Sequence, residues 1–91
     1  MIDTFNADHL IEEDDFGNIE YKLKLVDPSL ERIQHLTSQM KFRLEEGSGE
    51  AFYNVGYEDN GNPLGLCKED LFKSVRNYLF IQLIINLIYS N

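Results

Sequence analysis

Hydrophobic and polar residues alternate over residues 19–26. Four apolar side chains point to one side and three charged ones to the other: Ile19, Tyr21, Leu23 and Leu25 against Glu20, Lys22 and Lys24. A period of two residues is typical of a β-strand with one buried face and one solvent-exposed face. The pattern therefore predicts a first strand here.

A helix is predicted from Asp27-Pro28 to about Glu46. Asp27 suits the N-cap position, where a carboxylate accepts from free first-turn amides, and proline is tolerated at the first helical position. Apolar residues recur every three or four positions, as in an amphipathic helix: Leu30, Ile33, Leu36, Met40 and Leu44. Gly47 is predicted to end the helix in the left-handed conformation.

Three further elements are predicted after this helix. Alternation over residues 50–58 indicates a second strand, Asp59-Asn60-Gly61 is typical of a hairpin turn, and residues 62–66 indicate a short return strand. A last helix is predicted from near Lys68 to about Tyr89. Its predicted core face consists of Leu71, Phe72, Val75 and Leu79.

The order strand, helix, strand, strand, helix predicts the α+β fold class. With both helices on one face, it matches the split βαβ plan of the ferredoxin-like fold, with a three-stranded sheet and no fourth strand. The return strand would lie between the other two, and the outer edge of the first strand would be bare. We expect an acidic flexible leader at residues 1–17 and a single domain at residues 18–91, in which residues 79–91 are an atypical apolar helix segment.

Composition limits the functions that this chain can have. Ninety-one residues suffice for one small domain, and the net charge of -8 argues against sequence-independent binding to duplex nucleic acid. The single cysteine, Cys67, excludes an intrachain disulfide and a paired-cysteine metal or redox motif. The first residues lack the basic-then-apolar order of a secretory signal, so we expect a cytoplasmic protein.

No residue pattern predicts catalysis, a cofactor or a metal ion. None of the 6 glycines stands at the spacing that a P-loop requires ahead of a Gly-Lys pair. His9 and His35 lie far apart in the sequence and have no second ligand at a metal-binding spacing. Cys67 has no identified histidine base. We therefore expect no catalytic, cofactor-binding or metal-binding residue in this chain.

A candidate interaction surface lies on the predicted sheet. RNA-recognition modules share the ferredoxin-like plan and stack bases on aromatic residues of the open sheet face. If the aliphatic side chains face the helices, that face carries one aromatic residue among polar and basic ones: Lys22, Lys24, Phe52 and Asn54. These residues are the candidate contacts with single-stranded RNA, and an ordinary solvated sheet face is the alternative.

The carboxyl-terminal run 78–89 is apolar apart from Gln82 and Asn86. It is shorter than the roughly 20 residues that a membrane-spanning helix needs, so we expect no transmembrane span. Packing on the sheet covers only one face of such a helix. The remaining apolar surface indicates self-association, a membrane surface or an incomplete chain.

The sequence from Gly17 to Ser29 resembles the start of the amino-terminal region of GTP-binding proteins 1 and 2, eukaryotic relatives of the elongation factor Tu and elongation factor 1-alpha GTPases. The resemblance covers about residues 16–75. Its later matches are His35-Leu36, Gln39-Met40-Lys41, Arg43-Leu44, Glu46-Gly47, Gly49-Glu50-Ala51, Tyr57-Glu58-Asp59-Asn60-Gly61 and Gly65-Leu66. It implies a domain ahead of a GTPase module, in proteins linked to translation, ribosome-associated quality control and messenger RNA turnover.

The sequence departs from the family pattern near Tyr78. There the family has a polar helix end, another strand, a linker and the P-loop, so the resemblance assigns no GTP-binding residue to this chain. We expect that the reading frame was left near Tyr78, through a retained intron or a truncated gene. The expected function is a non-catalytic accessory domain that contacts the GTPase module, the ribosome or RNA-decay machinery. A single-stranded RNA-binding module and an assembly or membrane-surface module are the alternatives.

Overall fold

The computed structural model describes residues 9–89 of the chain. They form β1 (Ile19–Lys22), α1 (Leu30–Glu46), β2 (Phe52–Val55) and α2 (Lys68–Tyr89). The two strands pair in parallel, with Ile19 opposite Phe52 and Lys22 opposite Val55. Parallel strands need a crossover connection, and α1 provides it. The described residues therefore confirm an α+β architecture.

The predicted three-stranded ferredoxin-like sheet is not confirmed in residues 9–89. β1 and β2 are direct neighbours, so no return strand lies between them. The segment predicted as that strand, residues 62–66, makes only an isolated antiparallel bridge, between Tyr57 and Pro63. Pro63 has no amide to donate, and the segment is bounded by Gly61 (φ 90°) and Gly65 (φ 74°), whose positive φ angles interrupt an extended backbone.

The start of α1 differs from the prediction. Ser29, and not Asp27, is the N-cap residue, and its Oγ accepts from the amide of Arg32 at 3.1 Å. Ser29 has an extended backbone (φ −71°, ψ 165°), which is usual for a residue that precedes the first helical one. Pro28 therefore lies outside the helix and does not occupy its first position.

The end of α1 also differs in its detail. Gly47 follows the last helical residue with φ −101°, and the positive φ angles belong to Ser48 (55°) and Gly49 (101°). Glycine at position 47 is required for space, because a Cβ there would overlap the carbonyl oxygen of Glu50. This close approach, and not a left-handed backbone, determines the residue at position 47.

The two faces of β1 are the reverse of the predicted ones. The register places Glu20 beside Tyr53 and Lys22 beside Val55, and both of these β2 side chains pack against the helical core. The charged side chains of β1 therefore face the helices. The cause is Arg43 of α1, whose Nε donates to the Glu20 carboxylate at 2.7 Å, so that this buried charge has a partner.

The core lies between the two helices and the helix-facing side of β2. Its buried members are Leu25, Leu36, Met40, Tyr78, Ile81 and Ile85. Four further side chains pack against them while partly exposed: Ile33, Leu44, Tyr53 and Val55. Leu30, by contrast, is 73% exposed, since it lies at the first helical position of α1.

The bounds of α2 agree with the prediction, but its core face does not. The side chains predicted for that face are all exposed, by 42–69%: Leu71, Phe72, Val75 and Leu79. The buried ones are Ser74, Tyr78, Ile81 and Ile85. The Ser74 hydroxyl accepts from the Leu25 amide at 2.9 Å, and the Asn77 side chain donates to the Leu25 carbonyl at 2.8 Å. The Leu25 peptide groups lie beyond the end of β1 and so have no strand partner. Buried peptide groups need hydrogen bonds, and polar side chains of α2 provide them here.

We expect Ser74→Ala to lower the free energy of unfolding by about 1–3 kcal/mol, because the buried Leu25 amide would lose its acceptor. Urea denaturation followed by circular dichroism measures the change. Ser38→Ala is the matched control, because Ser38 is an exposed serine inside α1. That control should stay within about 0.5 kcal/mol of the parent chain. Equal losses in the two variants would show that the Ser74 hydroxyl does not hold Leu25.

Candidate functional site

The structure does not bring the four predicted surface residues onto one face. Phe52 is 52% exposed and lies with Asn54 on the sheet face opposite the helices. Lys22 lies on the helix-facing side, where its Nζ is 3.3 Å from the Glu20 carboxylate. Lys24 follows β1, and its ammonium group pairs with the Asp70 carboxylate of α2. Only Phe52 and Asn54 therefore remain together.

An apolar pair stands out on the sheet face opposite the helices. Ile19 and Phe52 lie directly opposite each other in the parallel register and are 45% and 52% exposed. Both are large side chains that the domain itself leaves in contact with water. The sheet therefore presents a small apolar patch, defined here as the Ile19–Phe52 patch.

Lys22 and Lys24 line a separate cleft of about 720 Å³. Arg32 lies on the same cleft, together with the rings of Tyr21 and Tyr57. The positive charge is offset within the cleft by the carboxylates of Glu58 and Asp59. Lys24 is also paired with the Asp70 carboxylate at 3.3 Å. The cleft thus combines cations and aromatic rings without a large excess of positive charge.

The outer edge of β1, predicted to be bare, is covered by residues of the predicted leader. The Tyr21 amide donates to the Glu13 carboxylate at 2.6 Å, and the Tyr21 hydroxyl donates to the Ile11 carbonyl at 2.7 Å. A side-chain acceptor thus replaces the missing neighbouring strand. Residues 1–8 of the predicted leader lie outside the described residues.

The same segment is bound to the loop after β2. The Leu10 amide donates to the Gly61 carbonyl at 2.8 Å, and the Glu13 amide donates to the Asp59 carbonyl at 2.7 Å. A Cβ at Gly61 would overlap the Leu10 carbonyl, so glycine is required for this close contact. Residues 10–13 are therefore connected to both the first strand and the predicted hairpin turn.

Arg43 is the centre of the polar interior. It is 3% exposed, and its Nε donates to Glu20 at 2.7 Å. Its Nη1 donates to the carbonyls of Phe16 at 3.0 Å and Gly17 at 2.8 Å, and its Nη2 donates to the carbonyl of Asp14 at 2.9 Å. One guanidinium group therefore joins α1, β1 and the amino-terminal segment.

The sequence interpretation missed this role, because a basic residue near a helix carboxyl end is adequately explained by the helix dipole. A signal was nevertheless present. Arg43 lies three residues after Met40 and seven after Leu36, so it falls on the apolar side of α1. A long cation on a buried helix face needs a carboxylate partner, and Glu20 provides it.

Glu13 extends this cluster toward the surface. Its carboxylate lies 3.8 Å from the Arg43 guanidinium and accepts from the Tyr21 amide. Burial raises the pKa of the Glu13 carboxyl above its usual 4.5, and the nearby Glu20 carboxylate adds to the increase. The Tyr21 hydrogen bond acts in the opposite direction. The amino-terminal segment is thus held by a carboxylate that is partly withdrawn from water.

Two tyrosines lie beside the Arg43 and Glu20 pair. The rings of Tyr53 and Tyr78 are 5.2 Å apart, and among the described residues neither buried hydroxyl has a hydrogen-bond partner. Burial raises the pKa of Tyr78 to about 12 and raises the pKa of Tyr53 above its usual 10 as well. Both phenols are therefore held in their neutral form by the fold.

This arrangement predicts a loss of stability at alkaline pH. A phenol whose pKa is higher in the folded state stabilises the fold fully below pH 10, and the contribution is lost as the pH rises toward 12. Each such group adds at most about 1.4 kcal/mol of loss per pH unit. We expect urea denaturation to show a smaller loss between about pH 9 and about pH 11 in the Tyr53→Phe, Tyr78→Phe double variant. The half-exposed Tyr89 supplies the control Tyr89→Phe, which should behave like the parent chain.

An apolar groove of about 360 Å³ lies along the outer edge of β2. β2 contributes Tyr53 and Val55 to its wall, Ala51 lies directly before this strand, and α2 contributes Val75 and Leu79. The chain therefore leaves open a concave surface between its second strand and its last helix.

The last helix also meets the length and composition of a membrane span. Among residues 9–89, α2 is the one helix long and apolar enough for this, on those two criteria alone. Core helices pass the same test, and 22% of its most apolar window is buried in the domain. The absence of a transmembrane span, predicted from the run 78–89, stays a prediction.

No metal-binding cluster occurs in the described part of the chain. No three histidine, cysteine, aspartate or glutamate side chains of residues 9–89 lie together as a metal site would require. The thiol of Cys67 is exposed and accepts a weak hydrogen bond from the Asp70 amide at 3.4 Å. Cys67 directly precedes the first residue of α2, and its sulfur accepts from a first-turn amide in the way that an N-cap side chain does.

The chain is similar to proteins that bear the name GTP-binding protein. It is 54% identical over 71 residues to GTP-binding protein 2 of Mus musculus and of Homo sapiens, which is 78% of this chain and 12% of each of those proteins. It is 36% identical over 58 residues to GTP-binding protein 1 of Xenopus laevis, which is 64% of this chain and 9% of that protein. This chain belongs to the GTP-binding protein 1/2 family. The family resemblance found in the sequence is thereby confirmed.

The match to the GTP-binding protein 1/2 family concerns a small part of its members. The matched stretch is 12% of the length of GTP-binding protein 2, so this chain corresponds to a small part of that protein. No family model matches the chain, and no solved structure matches it. Its α+β architecture is therefore described from the chain itself.

Proposed function

We propose that this chain is a non-catalytic, amino-terminal accessory domain of a GTP-binding protein 1/2-type GTPase in the cytoplasm. The observation that carries the proposal is the 54% identity to GTP-binding protein 2 over 12% of that protein. The chain is related to that protein, yet its 91 residues contain no P-loop sequence. A domain of this kind acts through its surface, by contacting the GTPase module, the ribosome or RNA-decay machinery.

The Ile19–Phe52 patch is the contact surface that the geometry supports best. The ion pairs of Lys22 with Glu20 and of Lys24 with Asp70 compensate the two lysines within the domain. The two apolar side chains, in contrast, are about half exposed and have no such compensation. Burying them against a partner would remove apolar surface from water, at roughly 25 cal/mol per Å².

Titration calorimetry tests the non-catalytic part of this proposal. The chain is titrated with GTP in the presence of Mg²⁺, and full-length mouse GTP-binding protein 2 is measured in the same buffer as the reference. We expect no heat of binding from this chain. A dissociation constant in the micromolar range would contradict the proposal, because the chain would then hold a nucleotide site of its own.

A binding measurement tests the contact surface. The probe is mouse GTP-binding protein 2 from which the stretch matched by this chain has been removed, checked for folding by circular dichroism. We expect this chain to bind it, and Phe52→Asp to weaken the affinity at least tenfold. The control is Leu30→Asp, which changes a side chain that is 73% exposed at the first position of α1, where an acid is favourable. Equal effects of the two variants would remove the patch from the proposal.

Single-stranded RNA binding is a second candidate, and the cleft lined by Lys22, Lys24 and Arg32 favours it. The partly exposed ring of Tyr57 offers a stacking surface beside the cations. RNA could bind either in this cleft or on the sheet face that carries Phe52. Fluorescence anisotropy with a single-stranded RNA oligomer at low and high salt distinguishes the two sites. Loss of binding in Lys24→Glu but not in Phe52→Ala would assign RNA to the cleft. The reverse would assign it to the sheet face, and no salt-dependent binding would eliminate both.

A further inference from the structure

A second apolar face of α2 lies opposite its core face. At 100° per residue, the buried side chains of Ser74, Tyr78, Ile81 and Ile85 occupy one side of the helix. The opposite side carries Phe72, Leu79, Leu83 and Leu87, which are 52–74% exposed. These four residues are defined here as the outer stripe, and the part of the chain that the structure describes leaves it uncovered.

The outer stripe is continuous with the groove along β2. Leu79 belongs to both, and Val75, which is 43% exposed, connects them. On the strand side, Phe52 and Gly56 donate their amides toward β1, so the peptide groups of Tyr53 point to the groove. A helix stripe and a strand edge that has no neighbour among residues 9–89 therefore form one surface.

The size of this surface lies at the upper end of what a monomeric protein usually leaves in water. The exposed parts of the outer stripe, Val75 and Phe80 amount to roughly 600 Å², the upper end of the largest apolar patch on monomeric proteins. With the edge of β2 added, the area approaches the roughly 800 Å² per partner that stable interfaces bury.

The charges of the chain indicate what covers the outer stripe. Residues 77–89 contain no aspartate, glutamate, lysine or arginine, although the whole chain has a net charge of -8. That net charge repels anionic lipid head groups, and helices that lie on membranes usually carry basic residues along a polar face. Arg76 lies on the same side of α2 as the stripe, but an antiparallel arrangement places it opposite an uncharged part of the other copy. Two copies of this chain can therefore meet along the stripe without placing like charges opposite each other.

We propose that a second copy of this chain covers this surface, as a two-fold symmetric dimer in which the outer stripes of two α2 helices pack antiparallel. A two-fold axis brings the same patch of both copies together, so one self-complementary stripe satisfies both partners. Its midpoint lies near Leu79 and Phe80, and Leu83 of one copy would meet the residues around Arg76 of the other. The dimer does not depend on the proposed function, because it uses neither Ile19 nor Phe52.

Light scattering after size-exclusion chromatography tests the dimer. We expect the parent chain to show twice its mass of 10.6 kDa at micromolar concentration. Leu83→Lys puts an ammonium group beside Arg76 of the other copy, and this repulsion should weaken dimerisation at least 100-fold. The control Leu64→Lys changes a loop side chain that is 57% exposed, and it should leave the dimer intact. Circular dichroism checks the helix, which lysine at an exposed position preserves.

A disulfide cross-link tests the geometry without weakening the fold. In a Cys67→Ser background, Leu79→Cys near the expected axis should form a covalent dimer under mild oxidation, whereas Leu30→Cys should not. A monomer at every concentration, or a dimer that Leu83→Lys leaves unchanged, would overturn the proposal. Binding of a monomeric parent chain to phosphatidylcholine vesicles, lost in Leu83→Lys, would also overturn it and assign the stripe to a membrane surface.

Discussion

Arg43→Met is expected to lower the free energy of unfolding by about 3–5 kcal/mol, because the buried Glu20 carboxylate loses its closest cation and keeps only the Lys22 ammonium at 3.3 Å. Glu20 is 2% exposed, and its 2.7 Å contact with Arg43 is the closest one to its charge. The change also removes the donors to the carbonyls of Asp14 and Phe16. Since the free energy of unfolding of native proteins is only about 5–15 kcal/mol, the substitution should remove a large part of the stability of this domain.

Urea denaturation followed by circular dichroism measures this loss. Two further variants show whether the loss comes from the buried ion pair. Lys73→Met removes an exposed cation that is paired with Glu69, and it should cost no more than about 0.5 kcal/mol. Combining Glu20→Leu with Arg43→Met removes both charges, so it should recover part of the lost stability. A double variant no more stable than Arg43→Met would show that the loss of the Arg43 contact with the Glu20 carboxylate is not the cause.

This ion pair also explains why the sequence predicted a strand at β1 but not its orientation. Alternation shows that a strand has two different faces, and burial normally assigns the apolar one to the core. Here Arg43 and Glu20 satisfy each other inside, while Tyr21 is covered from the other side by Ile11 and Glu13. Both partners of such a pair must be known in space, so alternation alone cannot give the result.

The reversed orientation also divided the predicted surface. Lys22 and Phe52 were expected on one face, because the aliphatic side chains of both strands were expected to point to the helices. The register places Lys22 opposite Val55 and Phe52 opposite Ile19, on different sides of the sheet. One long-range contact of Glu20 thus changed the composition of the candidate site, although each strand had been predicted near its observed position.

The helices were predictable in extent, since local rules determine where they begin and end. The rotation of α2 was not, because apolar residues surround most of its carboxyl-terminal half and give no preferred face. Ser74 and Asn77 determine the rotation instead, by binding the peptide groups of Leu25. The Leu25 peptide groups need these partners because β1 has ended and the chain turns toward α1 there. The requirement is therefore a property of the fold and not of the α2 sequence.

The rotation of α2 has a direct test with a large expected effect, Ile81→Ala. Ile81 is 1% exposed and belongs to the core cluster with Leu36 and Met40, so the truncation leaves a cavity and should cost about 2–5 kcal/mol. Ile88→Ala removes the same atoms two turns later, where the side chain is 63% exposed. Both changes alter helix propensity equally, so the difference between their urea midpoints reports burial alone.

The outcome of this comparison also distinguishes the two apolar faces of α2. If the helix packs as described, Ile88→Ala should stay within about 0.5 kcal/mol of the parent chain while Ile81→Ala loses several times more. If α2 instead used its outer stripe to contact the rest of the domain, Leu83→Ala would show the large loss and Ile81→Ala the small one. A large effect at Ile81, together with a fold that tolerates Leu83→Lys, would mean that the outer stripe is dispensable for folding and available to a partner.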